Sequence, residues 1–107
     1  MSNSSSCSFT IVNKTKENKS ILDFAKEVTF LLDEFKNTYD WNKDDPRYSE
    51  ESFLRSAAND DRVLVPGKNV VTFGDEDRTV HGTVFDYMLR DKDSSDSFFW
   101  ELEEMLR

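Results

Sequence analysis

The sequence is short of the residues from which most active sites are built. It holds one cysteine, Cys7, and one histidine, His81. A single cysteine leaves no partner for an intrachain disulfide, and a chain of 107 residues needs no such staple to close a core. A zinc site wants four nitrogen or sulfur ligands, and the chain offers these two. The three glycines, Gly67, Gly74 and Gly82, are scattered, so neither a phosphate-cradling loop nor a dinucleotide fingerprint is present. No Gly-x-Ser-x-Gly turn gives one serine the exposed geometry of a hydrolase nucleophile. Serine and aspartate are abundant, so Ser-His-Asp sets and carboxylate pairs can be drawn almost anywhere and carry little information. The expectation is a protein that is not an enzyme, with no catalytic residues, no metal site and no cofactor.

Long apolar runs are also missing. No stretch approaches the roughly 20 apolar residues that span a bilayer. The start, MSNSSSCS, lacks the basic head and apolar stretch of a signal peptide, and Cys7 lacks the apolar lead of a lipoprotein anchor. The expected location is cytoplasmic. Positive charge is scarce in its turn. Lys plus Arg number 14 against 22 Asp plus Glu, a net charge of −8. Phosphate affinity is assembled from Lys and Arg, so direct binding to nucleic acid or to an anionic membrane is not expected. A basic partner suits the charge; so does plain solubility.

What the chain does have is aromatic bulk: nine Phe, two Trp and three Tyr, enough for one modest core. Residues 1–7 are Ser-rich and read as a disordered tail, leaving 8–107 as a single domain. Ser8 to Val12 reads as a short strand. Ile21, Phe24, Ala25, Val28, Leu31, Leu32 and Phe35 recur at spacings of three and four and predict one helix over 21–38. Ser20 caps it, with Asp23 completing a capping-box-like pair. Leu22 and Phe30 lie off that stripe, where they either widen the buried face or stand as exposed anchors for a partner. Ser49 caps a second helix carrying Phe53, Leu54, Ala57 and Ala58. Residues 62–65 and 69–73 read as two strands about Pro66-Gly67, and a further strand starts at Arg78. The segment 83–90 fits strand or helix, with strand favoured. Phe98, Phe99, Leu102, Met105 and Leu106 suggest a final helix. The sum is an α+β fold, a small antiparallel sheet of three to four strands with two to three helices packed on it.

Acidic residues crowd the loop and helix start around 40–51, where Tyr39, Trp41 and Tyr48 interleave with Asp40, Asp44, Asp45, Glu50 and Glu51. A second acidic turn is Asp75-Glu76-Asp77. These eleven residues are the candidate partner-binding set. Carboxylates steer and pair with Lys or Arg, while a ring fills a pocket and supplies much of the binding energy. Trp41 reads equally well as a core residue. Asp40, Asn42, Asp44 and Glu51 fall at the first, third, fifth and twelfth positions of an EF-hand-like calcium loop, but Asp45 replaces the turn glycine and no second loop fits.

In charge and size the chain is similar to the immunity proteins that bacteria make against toxic nucleases, a likeness of class with no shared motif. It implies an inhibitor that occludes the basic active or binding surface of a toxin domain. The alternatives are a phage-type nucleic-acid mimic that inhibits a restriction or CRISPR enzyme, and a single calcium-binding domain. Oligomeric state is not legible.

Overall fold

The computed structural model describes residues 6–38, 45–74 and 79–106. The chain opens with strand β1 (Ser6–Asn13), whose alternation drives Cys7, Phe9 and Ile11 fully inward. The strand thus takes in Ser6 and Cys7, which the Ser-rich composition had assigned to the tail. Cys7 pairs with Phe73 on one side and Met105 on the other, and the register leaves it inside the core. A two-residue strand β2 (Lys19–Ser20) follows and runs into helix α1 (Ile21–Glu27).

The capping box forms as expected. Ser20 Oγ accepts from Asp23 N–H and Asp23 accepts from Ser20 N–H, both at 3.0 Å. The single helix expected over 21–38 is instead two. Val28 leaves helical geometry (φ −122°, ψ 30°), its N–H bonds Ala25 O, and helix α2 (Thr29–Thr38) begins. The apolar stripe crosses the break intact, with Val28 itself fully buried.

A 3₁₀ turn (Pro46–Tyr48) leads to helix α3 (Glu50–Ala58), capped by Ser49 through Ser52 N–H. Strands β3 (Val63–Leu64) and β4 (Gly67–Gly74) flank Pro66, but they do not pair with each other. β3 pairs with β2, and β4 pairs with β1. Gly67 sits at φ +94°, a conformation that other residues adopt only with strain, and so lets the chain turn into β4.

The last third reverses two expectations. Residues placed in strand form helix α4 (Val80–Met88), with Thr79 Oγ1 accepting from Gly82 N–H as its cap. The C-terminal segment expected as helix is strand β6 (Phe98–Leu106), preceded by a two-residue strand β5 (Asp93–Ser94). Phe98 and Trp100 point into the core, while Phe99 and Glu101 alternate with them and keep partial exposure, a period of two. The main sheet is antiparallel with order β4-β1-β6-β5.

The result is an α+β fold, a four-stranded sheet whose inner face is covered by helices. Phe24 is the hub of the core. It meets Phe85, Phe98 and Trp100 edge-on with ring centroids 5.1–5.5 Å apart. Phe85 then reaches Phe53 and Phe73, so α1, α3, α4, β4 and β6 share one aromatic cluster. Glu27, at the end of α1, accepts from Ser95 Oγ and Ser97 N–H and fixes the β5–β6 turn to the helix layer.

Candidate functional site

Of the eleven candidate contact residues, Tyr39, Asp40, Trp41, Asp44, Asp75, Glu76 and Asp77 lie outside the described residues. So does Asn42, and with it three of the four ligand positions of the calcium-loop reading, Asp40, Asn42 and Asp44. The other four contact residues differ in what they offer. Asp45 caps the 3₁₀ turn through Arg47 N–H and is clasped by the Arg47 guanidinium at 2.7 Å. Those hydrogen bonds hold its carboxyl below the usual range. Tyr48 is turned inward, 8% exposed, its ring 5.2 Å from Phe35. It is a core ring and not the exposed anchor expected of it. Glu50 and Glu51 are exposed in the first turn of α3, where negative charge complements the helix dipole, and Glu51 pairs with Arg55.

A cavity of about 570 Å³ lies between the end of α3, the segment after it, β4 and the start of α4. Ser56, Asn59, Asp60, Asp61, Arg62, Thr72, Thr79 and His81 line it. His81, expected in a strand, is the second residue of α4 and only 3% exposed. Its Nε2 is 2.8 Å from Asp60 Oδ2 and its Nδ1 is 2.7 Å from Ser56 Oγ. A carboxylate only accepts, so Nε2 carries a proton, and in a neutral ring Nδ1 accepts from the Ser56 hydroxyl. Asp60 also takes the Arg62 guanidinium at 2.6 Å. Burial works against ionisation of Asp60, but the hydrogen bonds from Arg62 and His81 outweigh it and hold the carboxyl far below the usual range.

The order Ser-His-Asp is that of a hydrolase relay, but the surroundings are those of a lock. Ser56 lies on a regular helix, and its Oγ is also the acceptor for His81 N–H, one of the free donors at the start of α4. Asp60 is claimed by a guanidinium as well as by the ring. Arg62 continues the chain of bonds to Thr72 O on β4. The network ties α3, α4 and β4 together, and its groups satisfy one another.

A second cavity, about 280 Å³, has the opposite character. Leu31, Glu34 and Thr38 come from α2, Tyr87 and Met88 from α4, Asp93 from β5 and Trp100 from β6, with Asp91 between them. Trp100 and Asp93 are cross-strand partners. Glu34, Asp91 and Asp93 are exposed and none is in an ion pair among the described residues. Trp100 is fully buried, and among the described residues its indole N–H has no hydrogen-bond partner. Arg90 lies 5.2 Å over the Tyr87 ring, but its guanidinium is engaged by Asp86, Nε donating to the backbone oxygen at 2.7 Å. Among the described residues no cluster of three His, Cys, Asp or Glu is tight enough to hold a metal ion.

Cys7, the one thiol, is not a reactive group. Burial first, and the neighbouring Asp86 carboxylate second, push its pKa up, against the opposing pull of Arg90. No helix among the described residues is long and apolar enough to cross a membrane. No protein-family model, curated protein or solved structure matches the chain.

Proposed function

We propose that this protein is an acidic inhibitor that binds and neutralises a basic protein partner in the cytoplasm, in the manner of an immunity protein against a nuclease-type toxin. The observation that carries the reading is how the charges are used. Each arginine among the described residues, Arg47, Arg55, Arg62 and Arg90, sits in an ion pair with a carboxylate two or four residues away. Glu34, Glu50, Asp61, Asp91, Asp93 and Asp96 are exposed and outside all of those pairs. Among the described residues these arginines are thus held locally while the six carboxylates stay open to solvent, in a chain whose net charge is −8. Such a surface attracts a basic cleft and repels phosphate. Catalysis plays no part in this reading, because the Ser56–His81–Asp60 set is closed on itself.

The test starts from the gene neighbourhood. The catalytic domain of an adjacent toxin is expressed and titrated with this protein at rising salt. Tight binding that weakens with salt, together with loss of toxin activity, is the expected result. Absence of binding, or an affinity indifferent to salt, overturns the charge-based reading. Inhibition of a restriction or CRISPR nuclease instead would move the protein to the nucleic-acid-mimic class.

A further inference from the structure

We propose that β4 is a docking edge for a second copy of this chain, the two β4 strands pairing antiparallel about a two-fold axis at Val70. This goes beyond the inhibitor reading and does not rest on it. β4 is the outer strand of the order β4-β1-β6-β5, and among the described residues no strand pairs with its other side. The opposite edge is guarded, since β5 is two residues long and a register shift interrupts the β1–β6 pairing. β4 has neither protection. It runs for eight residues, its register with β1 is continuous, and it contains no proline.

The open backbone groups follow from the bonds. Thr72 O accepts from the Arg62 guanidinium at 2.8 Å, so it points away from β1. Outward-facing residues alternate along an antiparallel strand, so Lys68 and Val70 also turn their N–H and C=O to the open side. The side chains of Lys68, Val70 and Thr72 are exposed, while Val71 and Phe73 between and beyond them are buried. Arg62 bonded to Thr72, and Asn69 bonded to Val65, keep residues 62–65 alongside this edge. Val70 is 58% exposed, and Val63 and Val65 beside it are 54% and 45% exposed. They are three of the four exposed large apolar side chains among the described residues.

Charge and symmetry select the occupant. Two copies of a chain with net charge −8 repel wherever their carboxylates meet. Residues 62–74 hold Arg62 and Lys68 but no Asp or Glu, so this edge brings no carboxylate of its own. With the axis at Val70, that residue faces its own copy and exchanges two N–H···O bonds with it. Lys68 then faces Thr72, and the two copies of Lys68 lie on a diagonal about 14 Å apart. Pairing hides the same edge on both copies, so the assembly closes at two. The two four-stranded sheets become continuous across the axis.

The test measures the mass of the full chain by sedimentation equilibrium from about 1 μM to 1 mM. The patch is small, so the expected result is a dimer with a dissociation constant of roughly 10–100 μM. Val70→Lys, at an exposed position, should keep the fold by circular dichroism and weaken the dimer more than about tenfold. Two cysteine variants read the register. Across the pair the Cα atoms of residue 70 lie about 5.5 Å apart, within disulfide reach, so Val70→Cys should cross-link under oxidation. Lys68→Cys should not, because about 14 Å separates its Cα atoms. The native Cys7 is fully buried and stays out of the reaction. If Val70→Lys unfolds the chain, the cysteine variants decide alone. A monomer at every concentration, a dimer that a folded Val70→Lys leaves intact, or cross-linking at 68 equal to or above that at 70 overturns the proposal.

Discussion

At the scale of single residues the sharpest chemistry belongs to Asp60. Its carboxylate is 9% exposed and serves two donors, Arg62 at 2.6 Å and His81 at 2.8 Å. A carboxyl held below its unfolded value stabilises the fold only while it is ionised. That contribution is fully present above the unfolded pKa, about 3.9, and is lost as pH falls toward the depressed folded value. Asp60→Ala leaves a buried imidazole N–H unpaired and should cost about 3 kcal/mol at neutral pH. Urea unfolding at neutral pH and at about pH 3 checks both parts. The variant should lose less stability on acidification than the parent, and equal losses would show that Asp60 is not a source of the acid sensitivity. Cys7 supplies a second expectation. Its thiol is fully buried and its pKa raised, so an alkylating reagent should label it only when the chain unfolds. Labelling of the folded protein at the rate of a free thiol would contradict the strand register at Cys7.

At the scale of elements, legibility followed locality. The stripe from Ile21 to Phe35 and the Ser20–Asp23 cap are written within a few turns of chain, and both formed. The break at Val28 was not visible, because the stripe continues across it without a missed position. The exchange of strand for helix after residue 78 has a different origin. α4 is rich in Val, Thr, Phe and Tyr, whose local preference is for strands, yet its cap and the burial of Val84 and Phe85 against the aromatic cluster win. β6 carries both a helical spacing and an alternation. What decides between them is β1, about 90 residues earlier in the chain, which takes β6 as its neighbour, Thr10 Oγ1 donating to Glu103 Oε2 across the pair. The 280 Å³ cavity was illegible for the same reason: Glu34, Asp91, Asp93 and Trp100 come from separate elements and share no local pattern. The histidine network joins Ser56 to His81 over 25 residues and was equally hidden. A strand at 98–106 makes adjacent aromatics unequal. Trp100→Ala should cost about 3–5 kcal/mol, and Phe99→Ala, whose ring lies on the open face beside Lys92, well under half of that. Denaturant titrations of the two variants measure this directly. Comparable losses would indicate that both rings are buried, as a helical segment packed on two sides would make them.

At the scale of the whole molecule, the issue is whether the acidity acts through a place or through its sum. A net charge of −8 raises the encounter rate with any basic protein, an effect that salt screens over about 10 Å at 0.1 M. A located site adds short-range pairing that governs dissociation as well. Two double charge reversals separate these contributions: Glu34→Lys with Asp91→Lys at the rim of the 280 Å³ cavity, and Glu50→Lys with Glu51→Lys at the start of α3. All four positions are exposed, so the fold should tolerate either pair. Each reversal removes one negative charge and adds one positive charge, so either pair takes the net charge from −8 to −4. Surface plasmon resonance against the toxin domain at low and high salt then reads both rate constants. Both pairs should slow association at low salt by similar factors, and high salt should erase that shared loss. If recognition uses that cavity, only the pair at its rim should also speed dissociation, by about tenfold, and that difference should persist at high salt, because close pairs in a walled cavity are screened less than exposed charges. If the two pairs match in both rate constants at every salt concentration, the charge acts as a sum, and the cavity between α2, α4 and β6 has no part in recognition.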